Sequence, residues 1–294
     1  MSYRLSLGRK LFLIFNYTFL ALLSLACIVP FVHILAISFS SASAAAAGVV
    51  KLWPVEFTFA SYENVLSKRE FLSSFVVSVQ RALLGASVNM LLTIIAAYPL
   101  SKEVRQFRFR TIYAWFFVLT MLFSGGLIPL YMTVKETGLM DTLWALVLPG
   151  AVPVYNVVLL LNFFRALPKE LEESATIDGA SPFVTLTRIY LPLSMPALAT
   201  LTLFSLVGHW NSWFDGLIFM NSPEHYPLQS FLQTVVIQRD LRFLTPTDIE
   251  LLQLVSDRTN NAAQIFVSTL PILLVYPFLQ KYFVHGIVLG SVKE

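Results

Sequence analysis

Residues 172–192 read EESATIDGASPFVTLTRIYLP, and this polar, small-residue-rich stretch separates two long apolar runs. Pro168 suits the first turn of a helix, where its missing N–H costs nothing, and Gly179 suits the left-handed position that ends a helix. Ser181 followed by Pro182 predicts the N-cap and first-turn proline of a second short helix. The stretch therefore predicts a helical hairpin outside the bilayer, with small side chains at its bend that let another protein approach the backbone.

The composition indicates a membrane protein. The 294 residues are 56% hydrophobic and 13% charged, whereas a soluble domain averages about 25% charged residues. The mean hydropathy is +0.71. The net charge of +3 is too small to indicate a nucleic-acid partner, and the single cysteine, Cys27, excludes a disulfide within the chain.

Six apolar runs are each long enough to cross a hydrocarbon core, which takes about 20 helical residues. They cover residues 11–39, 71–100, 111–134, 142–164, 193–219 and 260–282. The first run is too long for the apolar core of a signal peptide, so we expect it to be retained as a membrane helix. Pro149 and Pro153 predict a kink in the fourth span.

The basic residues predict which side of the membrane each segment faces. The N-terminal segment, the loop between the second and third spans, the hairpin and the C-terminal tail carry most of the lysines and arginines in short lengths of chain. By the positive-inside rule these segments, both termini included, lie in the cytoplasm. The expected fold is therefore all-α, a polytopic membrane protein of one domain over residues 1–294. It has six transmembrane helices, a cytoplasmic hairpin at residues 168–192 and external loops at 40–70 and 221–259.

The second external loop contains its own helix signal. Thr247-Asp248-Ile249-Glu250 is a capping-box pattern, which predicts the start of a helix within residues 221–259. A structured loop of this length requires either a partner protein or a packed surface on the subunit's own helices. Both alternatives remain open at the level of the sequence.

Several kinds of chemistry have no signature in the chain. No phosphate-binding G-x-x-x-x-G-K-[ST] motif occurs, and the four histidines are isolated from each other and from the cysteine. We therefore expect no catalytic residues, no metal site and no cofactor on this chain. If transport is driven by ATP, hydrolysis must take place on a separate subunit that docks on the hairpin.

The hairpin also carries a family resemblance. Glu173-Ser174-Ala175, three residues, Gly179, nine residues, and Ile189-x-Leu191-Pro192 resemble the signature E-A-A-x3-G-x9-I-x-L-P of permease subunits in binding-protein-dependent ABC importers. Ser174 in place of the middle alanine is the one departure. The resemblance implies a coupling hairpin that contacts the ATPase. The residues implied in this contact are Glu172, Glu173, Ser174, Ala175, Asp178, Gly179, Ala180, Ile189, Leu191 and Pro192.

Other segments resemble the oligosaccharide and polysaccharide branch of the maltose-type permeases, including alginate-type importers. These segments are residues 123–149, Pro227-Leu228-Gln229, and the run from Tyr276-Pro277 to Gly286. The resemblance implies a transport subunit, not an enzyme, in the bacterial cytoplasmic (inner) membrane. It also implies a second homologous permease, two ATP-binding cassette subunits that hold ATP and Mg²⁺, an external solute-binding protein and an oligosaccharide substrate, with membrane lipid around the spans.

Polar residues within the spans are candidates for the substrate pathway. Arg81 lies about 15 Å along the second span, where an arginine exposed to lipid costs roughly 2.5–3.5 kcal/mol. It should face a carboxylate or the water-filled pathway, where it could attract an acidic sugar such as a uronate; the alternative is that it snorkels to the outer headgroups. The aromatic residues of the fifth span could stack on sugars or form an interfacial belt. The predicted pathway set is Arg81, Asn89, Asn156, His209, Trp210, Asn211, Trp213 and Asp215.

Three other functions are alternatives to an ABC sugar importer. An ion-coupled secondary transporter requires buried carboxylates, and Asp215 is the one candidate in the spans. An intramembrane enzyme requires a nucleophile and base or a metal at membrane depth, and the sequence offers neither. An ABC permease for a solute other than a sugar also fits the hairpin signature.

Overall fold

The computed structural model describes residues 6–237 and 257–291, and all regular structure in these ranges is helical. The helices are α1 (Leu7–Ser38), α2 (Ala42–Ala46), α3 (Ala60–Ser67), α4 (Arg69–Ser101), α5 (Arg110–Leu122), α6 (Leu127–Glu136), α7 (Leu143–Val147), α8 (Val154–Ala166), α9 (Lys169–Ile177), α10 (Pro182–Thr185), α11 (Leu191–Leu193), α12 (Met195–Asn211), α13 (Phe214–Phe219), α14 (Leu228–Leu232) and α15 (Asp257–Ser291). A π-helical segment, Leu186–Tyr190, joins α10 to α11.

The chain divides into two compact units. The first comprises residues 1–69 and 234–270, and its core contains Ala36, Ala45 and Ala262. The second comprises residues 70–233 and 271–294. Both sites discussed below lie entirely within the second unit.

Two single helices, α1 and α4, are long and apolar enough to cross a membrane, and the number rises to five in the described residues if each of three bent helix pairs is one span. The pair Leu143–Gly150 and Val154–Ala166 bends by 50° where Pro149 and Pro153 predict a kink. The predicted sixth span, residues 260–282, falls within α15. Its crossing of the membrane stays a prediction.

The third predicted span, residues 111–134, is not one continuous helix. Helix α5 ends at Leu122, α6 begins at Leu127, and the two are bent by 111°. Gly126 has a φ of +87°, which glycine adopts easily because it has no Cβ. The predicted fifth span is also interrupted, since α12 ends at Asn211 and α13 begins at Phe214.

The main core of the second unit fixes the hairpin to three long helices. Buried apolar side chains of α4, α8 and α12 pack with Tyr190 of the hairpin. The Tyr190 ring makes edge-to-face contacts with Tyr98 and Phe164, with ring centroids 5.2 and 5.3 Å apart. Such aromatic pairs add stability beyond the area that they bury. The hairpin is therefore anchored in the core at this tyrosine.

Part of the predicted external loop 221–259 lies outside the described residues. This part includes the capping-box run from Thr247 to Glu250. The described part contains α14, whose Leu228 N–H donates to the Ser78 hydroxyl of α4 at 2.7 Å. This bond fixes the start of α14 to α4.

Candidate functional site

The predicted hairpin bend has the geometry that its sequence requires. Helix α9 ends at Ile177, and Gly179, just beyond its C-cap, has a φ of +76°. The Gly179 N–H donates to the Thr176 carbonyl at 3.1 Å and the Ala180 N–H to the Ala175 carbonyl at 2.9 Å. This pair of bonds is the Schellman motif, which satisfies the last carbonyls of a helix. Ser181 caps α10 as predicted, whereas Pro168 precedes the first residue of α9 and does not lie within its first turn.

The residues of the hairpin signature divide between an exposed surface and a packed face. Ala175 is buried, and Glu172, Ala180, Ile189 and Leu191 are partly buried. The exposed members are Glu173, Ser174, Asp178, Gly179 and Pro192. Two large apolar side chains beside them are also exposed, Ile177 at 87% and Phe183 at 73%. Both lie close in sequence to the bend of the hairpin.

Glu172 connects the hairpin to the end of α4. Its carboxylate accepts hydrogen bonds from Lys102 Nζ at 2.7 Å and from the Tyr190 hydroxyl at 2.6 Å. Lys102 Nζ lies 4.2 Å from the ring centroids of both Tyr98 and Tyr190. Its side chain is 11% exposed, so the ion pair is largely removed from water. We call these four residues, Tyr98, Lys102, Glu172 and Tyr190, the lysine clamp.

Burial and charge act in opposite directions on the pKa of Glu172 and of Lys102, and in the same direction on the pKa of Tyr190. Burial raises the pKa of Glu172, but hydrogen bonds from Lys102 and Tyr190 outweigh it and hold that pKa below its ordinary value of 4.5. Burial and the Glu172 carboxylate together raise the pKa of the Tyr190 hydroxyl above 10.0. Burial lowers the pKa of Lys102 from 10.5, against the effect of Glu172. The tyrosine therefore acts as a proton donor toward an ionised carboxylate.

A second ion pair joins the same two segments at the surface. Lys169 Nζ lies 2.5 Å from Glu103 Oε1, with the side chains 73% and 58% exposed. Exposed pairs of this kind contribute little to stability, because water and dissolved ions screen the attraction between the charges. Two ion pairs thus join the hairpin to the segment at the end of α4, and the one in the clamp is the more buried.

A cavity of about 510 Å³ lies in the second unit, between α4, α12 and the segments around α7 and α8. Most of its wall is apolar. Its polar wall residues are Arg81, Asn89, Asn156, Ser205, His209, Ser212 and Asp215. A largely apolar cavity with a few convergent polar groups is the usual form of a small-molecule site.

Arg81 forms a bidentate ion pair with Asp215 in the wall of this cavity. It is 1% exposed, and its Nη1 lies 3.1 Å from both Asp215 Oδ1 and the Ser212 carbonyl oxygen. Its Nη2 contacts Asp215 Oδ2. Asp215 Oδ1 also accepts from the Ser212 hydroxyl and the Gly216 N–H, both at 2.9 Å. Arg81 therefore faces a carboxylate, and the snorkelling alternative is wrong.

Two further polar pairs lie in the cavity. The Asn89 amide lies 3.2 Å from His209 Nε2, and with its nitrogen turned toward the carbonyls of Gly150 and Ala151 its oxygen accepts from the imidazole. Further along, Asn156 Nδ2 donates to Ser205 Oγ at 3.3 Å. The cavity therefore contains one ion pair and two other hydrogen-bonded pairs.

The structure does not bring the remaining predicted pathway residues to this cavity. Trp210 is buried against Phe75, with ring centroids 5.8 Å apart, and lines a separate apolar recess. Trp213 packs on Phe214, and Asn211 is exposed. Helix geometry explains the difference, because adjacent helical residues point about 100° apart. His209 and Trp210 therefore cannot share a face.

The sequence interpretation missed several residues of both sites. Ser205, Gly208 and Ser212 were missed, although together with the predicted His209 they follow the i, i+3, i+4, i+7 spacing of one helical face, which was a usable signal. Gly85 lies against His209, since a Cβ on Gly85 would be 2.4 Å from Nε2. Lys102 and Tyr190 of the clamp had no local signal, because their contact joins segments far apart in the chain.

Comparisons with known proteins agree with this arrangement. Residues 2–289 match the family described as the binding-protein-dependent transport system inner membrane component. Protein LplC of Bacillus subtilis (strain 168) is 42% identical over 286 residues, which cover 97% of this chain and 95% of that protein. The polygalacturonan/rhamnogalacturonan transport system permease protein YtcP of the same organism is 38% identical and covers 97% of this chain and 99% of its own length.

A solved structure has the same fold. It is described as a bacterial ABC transporter involved in the import of the acidic polysaccharide alginate, and one of its chains superposes with a TM-score of 0.88 at 30% identity. The match covers 96% of this chain and 100% of that chain. The chain therefore belongs to the inner-membrane-component family of binding-protein-dependent transport systems, as a permease subunit of a sugar ABC importer.

Proposed function

We propose that the chain forms half of the translocation pathway of an ATP-driven importer for acidic oligosaccharides. The cavity that contains Arg81 carries this proposal, because it combines apolar walls with several hydrogen-bonding groups inside a membrane unit. Sugar hydroxyls and ring faces require that combination. The relatives named for polygalacturonan and for the acidic polysaccharide alginate support an acidic substrate.

Arg81 supplies a group suited to a sugar carboxylate. A guanidinium can bind a carboxylate through two parallel hydrogen bonds. Two of its nitrogens already contact Asp215 or Ser212, while its Nε is buried without a hydrogen-bond partner. A substrate carboxylate in the cavity would therefore have to compete with Asp215 for the Nη atoms, because Arg81 is 1% exposed and its Nε is buried.

The hairpin provides the contact with the energy source. Its exposed Ile177 and Phe183, beside the small residues of the bend, form a surface for an ATP-binding cassette subunit. The basic residues favour a cytoplasmic position for the hairpin and for both termini. ATP and Mg²⁺ would then be held by two cassette subunits, with no cofactor on this chain. A second permease would complete the pathway, and an external binding protein would deliver the sugar.

Transport in proteoliposomes tests the proposal. The permease pair, the cassette subunits and the binding protein would be reconstituted with ATP inside the vesicles, and uptake of a uronate oligosaccharide would be compared with that of a neutral one of equal length. We expect ATP-dependent uptake that favours the acidic sugar. Uptake driven by a proton gradient without the cassette subunits would overturn the proposal, as would uptake of the neutral sugar alone.

A matched pair of variants tests the role of Arg81. Arg81→Gln should lower uptake of the acidic sugar more than uptake of the neutral one. Arg69→Gln removes an exposed arginine from the same helix and should leave the ratio unchanged. Equal loss for both sugars in Arg81→Gln would show that the ion pair with Asp215 is structural and does not select substrate.

A further inference from the structure

The end of helix α4 lies beside the hairpin, although neither the signature motif nor the loop sequence connects them. Lys102 is the first residue after α4, and its ammonium lies between the rings of Tyr98 and Tyr190. It donates to Glu172 at 2.7 Å and contacts the Tyr190 hydroxyl at 3.1 Å. The same lysine therefore touches α4, α9 and the π-helical segment of the hairpin.

We propose that Lys102 is a positioning residue for energy coupling, which makes the hairpin and helix α4 move as one body. This inference rests on the proposed role of the hairpin in contacting the ATPase. It adds a second route for motion of the hairpin. The first route runs along the chain from the hairpin signature into α12. The clamp adds α4, the helix that carries Arg81 and Asn89 of the cavity.

The clamp packs against the core of the second unit on one side, while Lys102, Glu172 and Tyr190 line an open cleft of about 740 Å³ on the other. Ala97 and Leu100, in the last turns of α4, are 0% and 3% exposed and pack in the same core as Tyr190. A close-packed core transmits small displacements because it has no free volume to absorb them. Asn89 lies 13 positions before Lys102, about 20 Å along the helix. A shift of the hairpin would thus reach the cavity through one continuous helix.

The ion pair is largely buried, so the clamp requires a cation at position 102 and a carboxylate at position 172. An ammonium over aromatic faces is attracted by the ring quadrupoles, and the carboxylate balances its charge. Removal of one partner leaves the other charge buried without compensation. By contrast, the Glu103–Lys169 pair joins the same segments but is exposed, so it provides a matched control.

The test measures uptake and ATP hydrolysis in the same reconstituted vesicles. Lys102→Met should lower the ratio of sugar imported to ATP hydrolysed by about 5-fold or more, the lower end of coupling between distant sites. Lys102→Arg should restore most of that ratio, because a guanidinium also stacks on aromatic rings and pairs with a carboxylate. Glu103→Gln should leave the ratio at the wild-type value. A role confined to folding would lower both activities together and leave the ratio unchanged.

Further variants keep the inference falsifiable. If Lys102→Met does not assemble, Tyr190→Phe keeps the ring and removes the hydroxyl that donates to Glu172, and it should also lower the ratio. A wild-type ratio of sugar imported to ATP hydrolysed, in Lys102→Met or in an assembled Tyr190→Phe, would overturn the proposed role of the clamp in coupling. Gly179→Val distinguishes a failure of this inference from a failure of the proposed function. If Gly179→Val uncouples transport while Lys102→Met does not, only the proposed role of Lys102 is refuted. If both variants couple normally, the proposed role of the hairpin fails as well.

Discussion

Replacing Asp215 by alanine should destabilise the protein more than replacing Arg81 by methionine. Arg81 is 1% exposed, so the loss of its carboxylate leaves a buried guanidinium whose remaining described partner is the Ser212 carbonyl. The Asp215 side chain is 25% exposed. It also keeps the Ser212 hydroxyl and the Gly216 N–H as donors when Arg81 is removed. Leaving Arg81 without its ionic partner should therefore cost more stability than leaving Asp215 without its partner.

The magnitudes follow from this asymmetry. Removing one partner of a buried ion pair costs about 3–5 kcal/mol, and we assign that range to Asp215→Ala. Arg81→Met leaves a solvated and hydrogen-bonded carboxylate, so its cost should be about 1–3 kcal/mol. The double variant leaves no unpaired charge. Its loss should be smaller than the sum of the single losses by about 0.5–3 kcal/mol, the range measured for residues in contact.

Denaturant unfolding of the purified, detergent-solubilised complex measures these values. Glu136→Ala, which removes an exposed carboxylate from the end of α6, should stay within about 0.5 kcal/mol of wild type. Additive losses in the double variant would refute a direct interaction between Arg81 and Asp215. A greater loss in Arg81→Met than in Asp215→Ala would refute the argument from burial.

Three further substitutions have definite expected outcomes. Gly179→Val forces a β-branched residue to a φ of +76°, at a cost of roughly 1–2 kcal/mol, and should lower sugar uptake per ATP hydrolysed. Glu172 has a lowered pKa, so its contribution to stability is complete above its ordinary 4.5 and lost as the pH falls through the lowered value. The difference in melting temperature between wild type and Glu172→Gln should therefore be constant at neutral pH and shrink below about pH 4. Gly216→Ala would place a Cβ 2.1 Å from Ser230 Oγ and 2.9 Å from a proline ring carbon, and should destabilise by about 1–3 kcal/mol, whereas Gly208→Ala has open space.

The hairpin could be predicted in detail because its geometry is local. The positive φ of Gly179 and the cap by Ser181 depend on residues within one or two turns, and each residue type has a narrow conformational preference. The break in the third predicted span is also local in origin. Gly125-Gly126 permits the bend at that point, but apolar composition alone gave no reason to expect an angle of 111°.

The cavity was only partly predictable, because its members are brought together by packing between helices. The cost of polar groups in lipid indicates Arg81, Asn89, Asn156, His209 and Asp215 from the sequence, and the structure brings these five residues to one cavity. Their role in a substrate pathway stays a prediction. The tryptophans were assigned to the pathway from their position in the sequence run. Helical spacing places Trp210 on a different face from His209, and that criterion needs no structure. Trp213, four residues after His209, would share its face in an unbroken helix, and it leaves that face because α12 ends at Asn211.

The pairing of polar groups within the cavity bears on how a transporter can release its cargo. Arg81 with Asp215, Asn89 with His209 and Asn156 with Ser205 satisfy each other when no sugar is present. A sugar that enters must exchange these internal hydrogen bonds for bonds of its own, so the net gain from each contact is small. Conduction requires binding that is favourable enough for a solute to enter and weak enough for it to leave. In the importer that we propose, a cavity lined by self-paired groups would meet both conditions.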